Sequence, residues 1–178
     1  MSVLAKIHAD IDARVTAIRS AHPDWLCGKG CDACCRRLAE LPRLSTAEWR
    51  LLRSGLETLA PERLAEVRQA LAALTENPDG FVVCPLLEQS TGACPVYAQR
   101  PVACRSYGFY VQRDRGLHCR DIEAQVAAGS LAGVVWGNHD VIDQELAKLG
   151  TARPLNEWFT LWAQEDAAAA RTAQLPAV

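Results

Sequence analysis

No apolar run in this sequence approaches the roughly 20 residues that a bilayer-spanning helix needs. Basic charge is not in excess either: 19 Lys and Arg stand against 21 Asp and Glu, a net charge of −2. A general nucleic-acid binder usually shows a strongly basic face, so this balance argues against that class. A secretory signal peptide is not expected, because Lys6, His8, Asp10, Asp12 and Arg14 interrupt what would have to be a continuous apolar segment. No Ser-His-Asp arrangement, phosphate loop or paired-carboxylate signature is visible. Internal repeats and low-complexity blocks are also missing. The expectation is one domain spanning residues 1–178, long enough to bury a core, in the cytoplasm, with neither nucleic acid nor membrane as partner. A protein partner is left open.

What the sequence does have is cysteine, and it is concentrated. Cys27, Cys31, Cys34 and Cys35 fall within nine residues, and Cys84, Cys94, Cys104 and Cys119 follow singly. The apolar segments at either end carry none. In the cytosol disulfides are rare, and clustered thiols more often bind metal or do redox chemistry. All eight are therefore candidate metal ligands.

The flanking segments read as helices. Leu4, Ile7, Ile11, Val15 and Ile18 recur at helical steps over 2–20, with Ser2 as cap, and His22-Pro23 ends the run. His8 reads as a solvated or half-buried flank residue. Ser45 and Glu48 form a capping box for a helix over 46–57, with Trp49, Leu52 and Leu56 on one face. Pro61 starts another to about 76, with Leu64, Val67, Leu71 and Leu74 on one side, and Asn77-Pro78-Asp79-Gly80 is a turn signal. Phe81–Cys84 and Cys94–Tyr97 are expected to pair as a small hairpin that brings Cys84 near Cys94. A helical turn over 98–105 carries Cys104, and Tyr107–Gln112 is a further strand, followed by a turn at 114–116. Helices follow over about 120–128, 138–149 (Val141, Ile142, Leu146 and Leu149 apolar) and 155–171. The last carries an aromatic stripe, Trp158, Phe159 and Trp162, that reads as core. The terminal residues are expected to fray. The fold class is mainly α: about six helices with a short β-hairpin, its middle stapled by thiolate metal.

Thiolates are soft anionic ligands, and four of them suit tetrahedral zinc or an iron–sulfur cluster. Eight divide into two four-ligand sites, or into one site and spares. Adjacent side chains point in different directions, so Cys34 and Cys35 serve different sites, or one ligates while the other lies close by. Gly28 and Gly30 give the loop its conformational freedom. Between Cys94 and Arg120, Arg100, Arg105, Arg113, Arg115 and Arg120 face a single acid, Asp114, and Lys29, Arg36 and Arg37 flank the first thiols. These cations either offset a thiolate-bound centre, form an ordinary solvated surface, or line an oxyanion pocket. His118 could replace a thiol in a mixed site, whereas His139 reads as a helix-start residue.

The run Cys-x3-Cys-x2-Cys-Cys, then Cys84-Pro85-Leu86-Leu87, Gly92-Ala93-Cys94-Pro95-Val96-Tyr97 and Arg100-Pro101-Val102-Ala103-Cys104-Arg105, resembles the YkgJ-type cysteine-cluster family of zinc- or iron-chelating domains. The resemblance covers about residues 24–120 and fills all eight of the family's cysteine positions. It implies metal binding, commonly as an iron–sulfur protein, and no single reaction. Some relatives are linked to lysine methylation of flagellin. This sequence shows no Gly-rich fingerprint for a methyl-donor cofactor, and that activity is not carried over. Cys27-x3-Cys31-x2-Cys34 alone also matches the radical S-adenosylmethionine signature. Those enzymes resemble α/β barrels, and this sequence does not alternate strands with helices.

The expected function is a metal-binding protein with an iron–sulfur cluster of the 4Fe–4S type, or Zn²⁺, in a redox or accessory role. The alternatives are a protein-modifying or redox enzyme with an incompletely ligated iron centre, a structural zinc interaction module, and a metal carrier.

Overall fold

The computed structural model describes residues 1–74 and 80–173. Helix α1 spans Val3–Ala21, opened by the Ser2 side chain, which accepts from the Ala5 N–H. Its apolar stripe is inward: Leu4, Ile7, Ile11 and Ile18 are buried, and Val15 is partly so. The chain then runs without regular structure through the first four thiols to β1 (Arg43–Leu44). Helix α2 (Thr46–Leu56) starts at the expected capping box, with Ser45 and Glu48 bonded reciprocally. Helix α3 (Pro61–Ala72) follows, closing before the expected residue 76. Residues 75–79 lie outside the described residues, and with them most of the Asn77–Gly80 turn; so do 174–178, where fraying was expected.

A 3₁₀ turn at Tyr97–Gln99 leads into α4 (Val102–Ser106), a single helical turn that carries Cys104. Strands β2 (Tyr110–Gln112) and β3 (Arg115–Leu117) form an antiparallel hairpin, turned at Arg113 and Asp114, both with positive φ. Next come α5 (Arg120–Ala127), β4 (Gly137–Asn138), α6 (His139–Leu146), β5 (Arg153–Pro154) and α7 (Leu155–Ala173). β4 adds to β2 in parallel, and β5 pairs with β1 antiparallel.

The structure is mainly helical, as expected, with seven α-helices among the described residues instead of about six. The hairpin is displaced. Phe81–Cys84 does not pair with Cys94–Tyr97. Val82 instead bonds Leu38 in both directions, at 2.9 and 2.8 Å, and the Cys84 N–H donates to the Cys35 carbonyl at 2.7 Å. That strip is therefore committed to the first thiol loop. The second arm also begins poorly, since Pro95 brings no N–H to a ladder. Only Glu88 and Ala93 bridge across the turn between them. The Asp114–Gly116 turn also shifts: Arg115 and Gly116 already belong to β3.

Two apolar clusters form. One gathers α2, α3 and α7 around Leu52, Leu56, Val67 and Trp49. The Trp49 and Trp158 rings stack at 5.6 Å, and the Trp158 Nε1–H donates to the Leu44 carbonyl at 2.9 Å. The aromatic stripe of α7 is thus core, as expected. The other cluster gathers α1 with Trp25, Val102, Phe109, Tyr110 and Ile122. Of the expected apolar face of α6, Ile142 packs here, while Val141 is exposed. Glu48 ties the two halves together. Buried beside Ser45, it also accepts the Val102 N–H at 3.0 Å, so α2 holds the start of α4. No helix is long and apolar enough to cross a membrane among the described residues.

Candidate metal centre

The thiols lie where these two clusters meet. A hollow of about 110 Å³ is lined by Cys27, Cys31, Cys34, Cys35, Cys84, Cys94 and Cys104. Cys119 stands just outside it, at the first residue before α5, packed against the α1 cluster with Cys27. Cys84 and Cys94 pack against the α2–α3–α7 cluster. All eight are free thiols.

Local structure explains the aim of each side chain. Residues 32–37 make one helical turn, with the Arg36 N–H donating to Asp32 O at 3.0 Å and the Arg37 N–H to Cys34 O at 3.2 Å. The Asp32 carboxylate and the Arg36 guanidinium, 2.6 Å apart, brace that turn. Of the two glycines expected to supply unusual backbone freedom, Gly30 does so, with a positive φ of 96°, and Gly28 does not. The Cys27 sulfur approaches the Tyr107 carbonyl at 3.7 Å. Gly108 makes this approach feasible: its φ is +90°, and a Cβ there would stand 2.7 Å from the Cys27 sulfur. Gly108 escaped the sequence reading, because only the fold brings it to Cys27.

Burial raises thiol pKa values here, and cations oppose it. Burial pushes Cys27 up to about 12, the thiols of Cys31, Cys34 and Cys119 add to this, and the Arg100 guanidinium pulls it down. Cys34 is raised first by a hydrogen bond with the Cys35 thiol, then by burial. That bond pulls Cys35 down; a bond with Cys84, burial, and the Cys84 and Cys94 thiols outweigh it and leave Cys35 at about 12. Burial also raises Cys94 and Cys104, with Arg100 again opposing. Cys104 shows surface, yet it lines the hollow and senses Cys35, Cys34 and Cys94, so its surroundings are those of an interior thiol.

The expected cations divide. Arg100 and Arg105 line the hollow, joined by Arg19 from α1, which the sequence reading did not single out. Arg100 stacks on Tyr97 at 3.7 Å and donates to the Tyr97 carbonyl. Arg105 is buried, bonds both Asp12 oxygens at 3.2 Å and donates to the Ala98 and Arg100 carbonyls. Arg37 stacks on exposed Phe81, and Arg113, Arg115 and Arg120 are exposed. His118 turns to Glu123, at 3.3 Å, and to Trp136. His139 is the first residue of α6, as expected, with Nδ1 3.2 Å from Asp143. His8 is half-buried on α1, and burial, with Arg105 next, lowers its pKa to about 4.

Among the described residues no three His, Cys, Asp or Glu side chains stand together as a closed ion site. The donor set nonetheless suits a thiolate-held metal: soft ligands gathered at one hollow, most of them half-buried, and guanidinium groups that offset anionic charge. Hard-cation chemistry is poorly served, for the hollow is lined by no carboxylate.

No curated protein and no solved structure matches the chain. One family model does, over residues 26–126, which is more than half of the sequence and includes all eight cysteines. This chain belongs to that family, CxxCxxCC, described as a "putative zinc- or iron-chelating domain".

Proposed function

We propose that this protein uses its cysteine cluster to hold an iron–sulfur centre in the cytoplasm, in a redox or accessory role toward a partner enzyme. The observation that carries the reading is the gathering of seven thiols, from three separate stretches of chain, around one hollow with Arg19, Arg100 and Arg105 at its wall. Cations so placed favour the thiolate form and offset the charge of a thiolate-bound centre. When bound, a cluster of this kind supplies one-electron chemistry. The thiols would ligate it, and Arg100 would tune its potential through charge.

The test is iron, zinc and acid-labile sulfide content, with a visible spectrum, on protein purified without air. Iron with sulfide in comparable amount and broad visible absorption is expected. Colourless protein with stoichiometric zinc and no sulfide would make the thiols a structural zinc module instead.

A further inference from the structure

We infer that the mouth of the thiol hollow is a docking face for an acidic protein surface. This rests on the reading above, in which the centre serves a partner enzyme, and adds the charge by which that partner is recognised.

Three cations stand at the mouth. The Arg19 guanidinium, on α1, lies where a Cβ at Gly28 would meet it at 3.3 Å. Lys29 is the next residue in the chain, with its Nζ 5.9 Å from the Tyr97 ring centroid. Arg100 stacks on the same ring at 3.7 Å. Crowded like charges repel unless an anion lies near. Here the neighbouring acids are committed elsewhere, Asp32 to Arg36 at 2.6 Å and Asp12 to Arg105 at 3.2 Å. Among the described residues Arg19, Lys29 and Arg100 form no ion pair. The lining of the hollow contains no carboxylate, although the whole chain carries a net charge of −2.

Exposure shows which side these charges serve. Arg105 is buried and Arg100 half-buried, so their charge acts on the interior. Arg19 and Lys29 are exposed, and Lys29 is not part of the lining. Their charge meets what approaches from solvent. The surface beside them is low. Gly28 and Gly30 flank Lys29, nothing beyond the chain neighbours stands within 4 Å of a Cβ at Gly30, and Ala98 and Ala103 are exposed. Cys31 and Cys104, which line the hollow, are both exposed as well. A broad partner can therefore approach the thiols closely, and the fixed cations select its sign.

An acidic protein fits this face better than a nucleic acid does. Three cations on a chain of net negative charge make too small a basic stripe to track a phosphate backbone, and the Tyr97 ring is already covered by Lys29 and Arg100. A small contact led by charge suits a transient, salt-sensitive complex.

The probe is a fluorescently labelled oligoglutamate peptide, read by anisotropy with the full chain purified without air, at low and at physiological ionic strength. Wild type should bind it at low salt and release it as salt rises. Lys29→Gln should weaken binding about threefold and Lys29→Glu about tenfold. Arg171→Glu, about 24 Å along α7 from Leu155 at the hollow, should change nothing. Bound peptide should also slow amide exchange in 28–31 and 97–104 of the wild type, which decides the matter should the Lys29 variants unfold. Failure of wild type to bind, an equal loss in Arg171→Glu, protection confined to other segments, or tighter binding of a thymidine oligonucleotide of matched charge would each overturn the docking face. Metal analysis of the same preparations keeps the two readings apart. Metal-free protein that binds the peptide at this rim overturns the metal-binding reading alone, whereas metal-loaded protein that ignores the peptide overturns the docking face alone.

Discussion

The layer of α2, α3 and α7 and the thiol-lined region beside it are held by different forces. In the layer, Leu52, Leu56 and Val67 are fully buried and three tryptophans meet at 5.6 and 5.9 Å. Each of its helices buries an apolar face, and α2 adds a capping box, so apolar burial is what holds them. The stretches over 24–42 and 80–101 have little of this. They contain one helical turn, two isolated bridges and a 3₁₀ turn. Their buried side chains, Leu86, Leu87 and Val96 among them, are few, and half-buried or exposed thiols line the hollow beside them. Two folding devices thus lie side by side: a core that stands by apolar packing, and a loop region whose candidate ligand thiols line a hollow. A metal contributes folding energy where a chain offers ligands in place of a core.

This contrast can be broken from either side. The largest effect should come from Leu56→Ala, which empties a fully buried site in the helical layer away from the hollow. It should cost about 2–5 kcal/mol in denaturant unfolding while metal per folded molecule is unchanged. Gly108→Ala attacks the other side. It forces a side chain at φ +90° against the Cys27 sulfur, so a cost of about 1–3 kcal/mol and a clear loss of bound metal are expected by melting and elemental analysis. Metal loss on Leu56→Ala equal to that on Gly108→Ala would erase the distinction.

The smallest effect concerns pH at α1. The folded chain holds His8 neutral down to about pH 4, so between pH 6.5 and 4 the unfolded chain binds the additional proton. The stability is present above pH 6.5 and is lost as pH falls toward 4. For a half-buried ring screened by solvent, the loss is on the order of 1 kcal/mol. Comparing the melting of wild type and His8→Gln across that range isolates it; parallel curves would remove His8 from the account.

The sequence and the fold agree where signals are local. The stripe Leu4, Ile7, Ile11 and Ile18, the Ser45–Glu48 capping box and the tryptophans of α7 each declare themselves within a few turns of helix. Cysteine spacing and the family resemblance single out the thiols, seven of which line one hollow, but not how they would share ligands. What was hidden depends on distant residues. Glu48 reads as a cap, and its bond to the Val102 N–H spans 54 positions. Arg19 reads as one more helix charge until α1 lies along the hollow. Strands β1, β4 and β5 are two residues each, too short to show any alternation. The hairpin was misplaced because Phe81–Cys84 has the composition of a strand, and composition does not name the partner.

Hydrogen exchange of the protein as purified without air, compared with the same protein after metal removal, tests the central claim most directly. The account predicts that amides in 27–38 and 82–104, including the Cys84 N–H bonded to Cys35, lose protection when metal is removed, while α2, α3 and α7 keep theirs. Equal protection of the cysteine-bearing stretches with and without metal would contradict it.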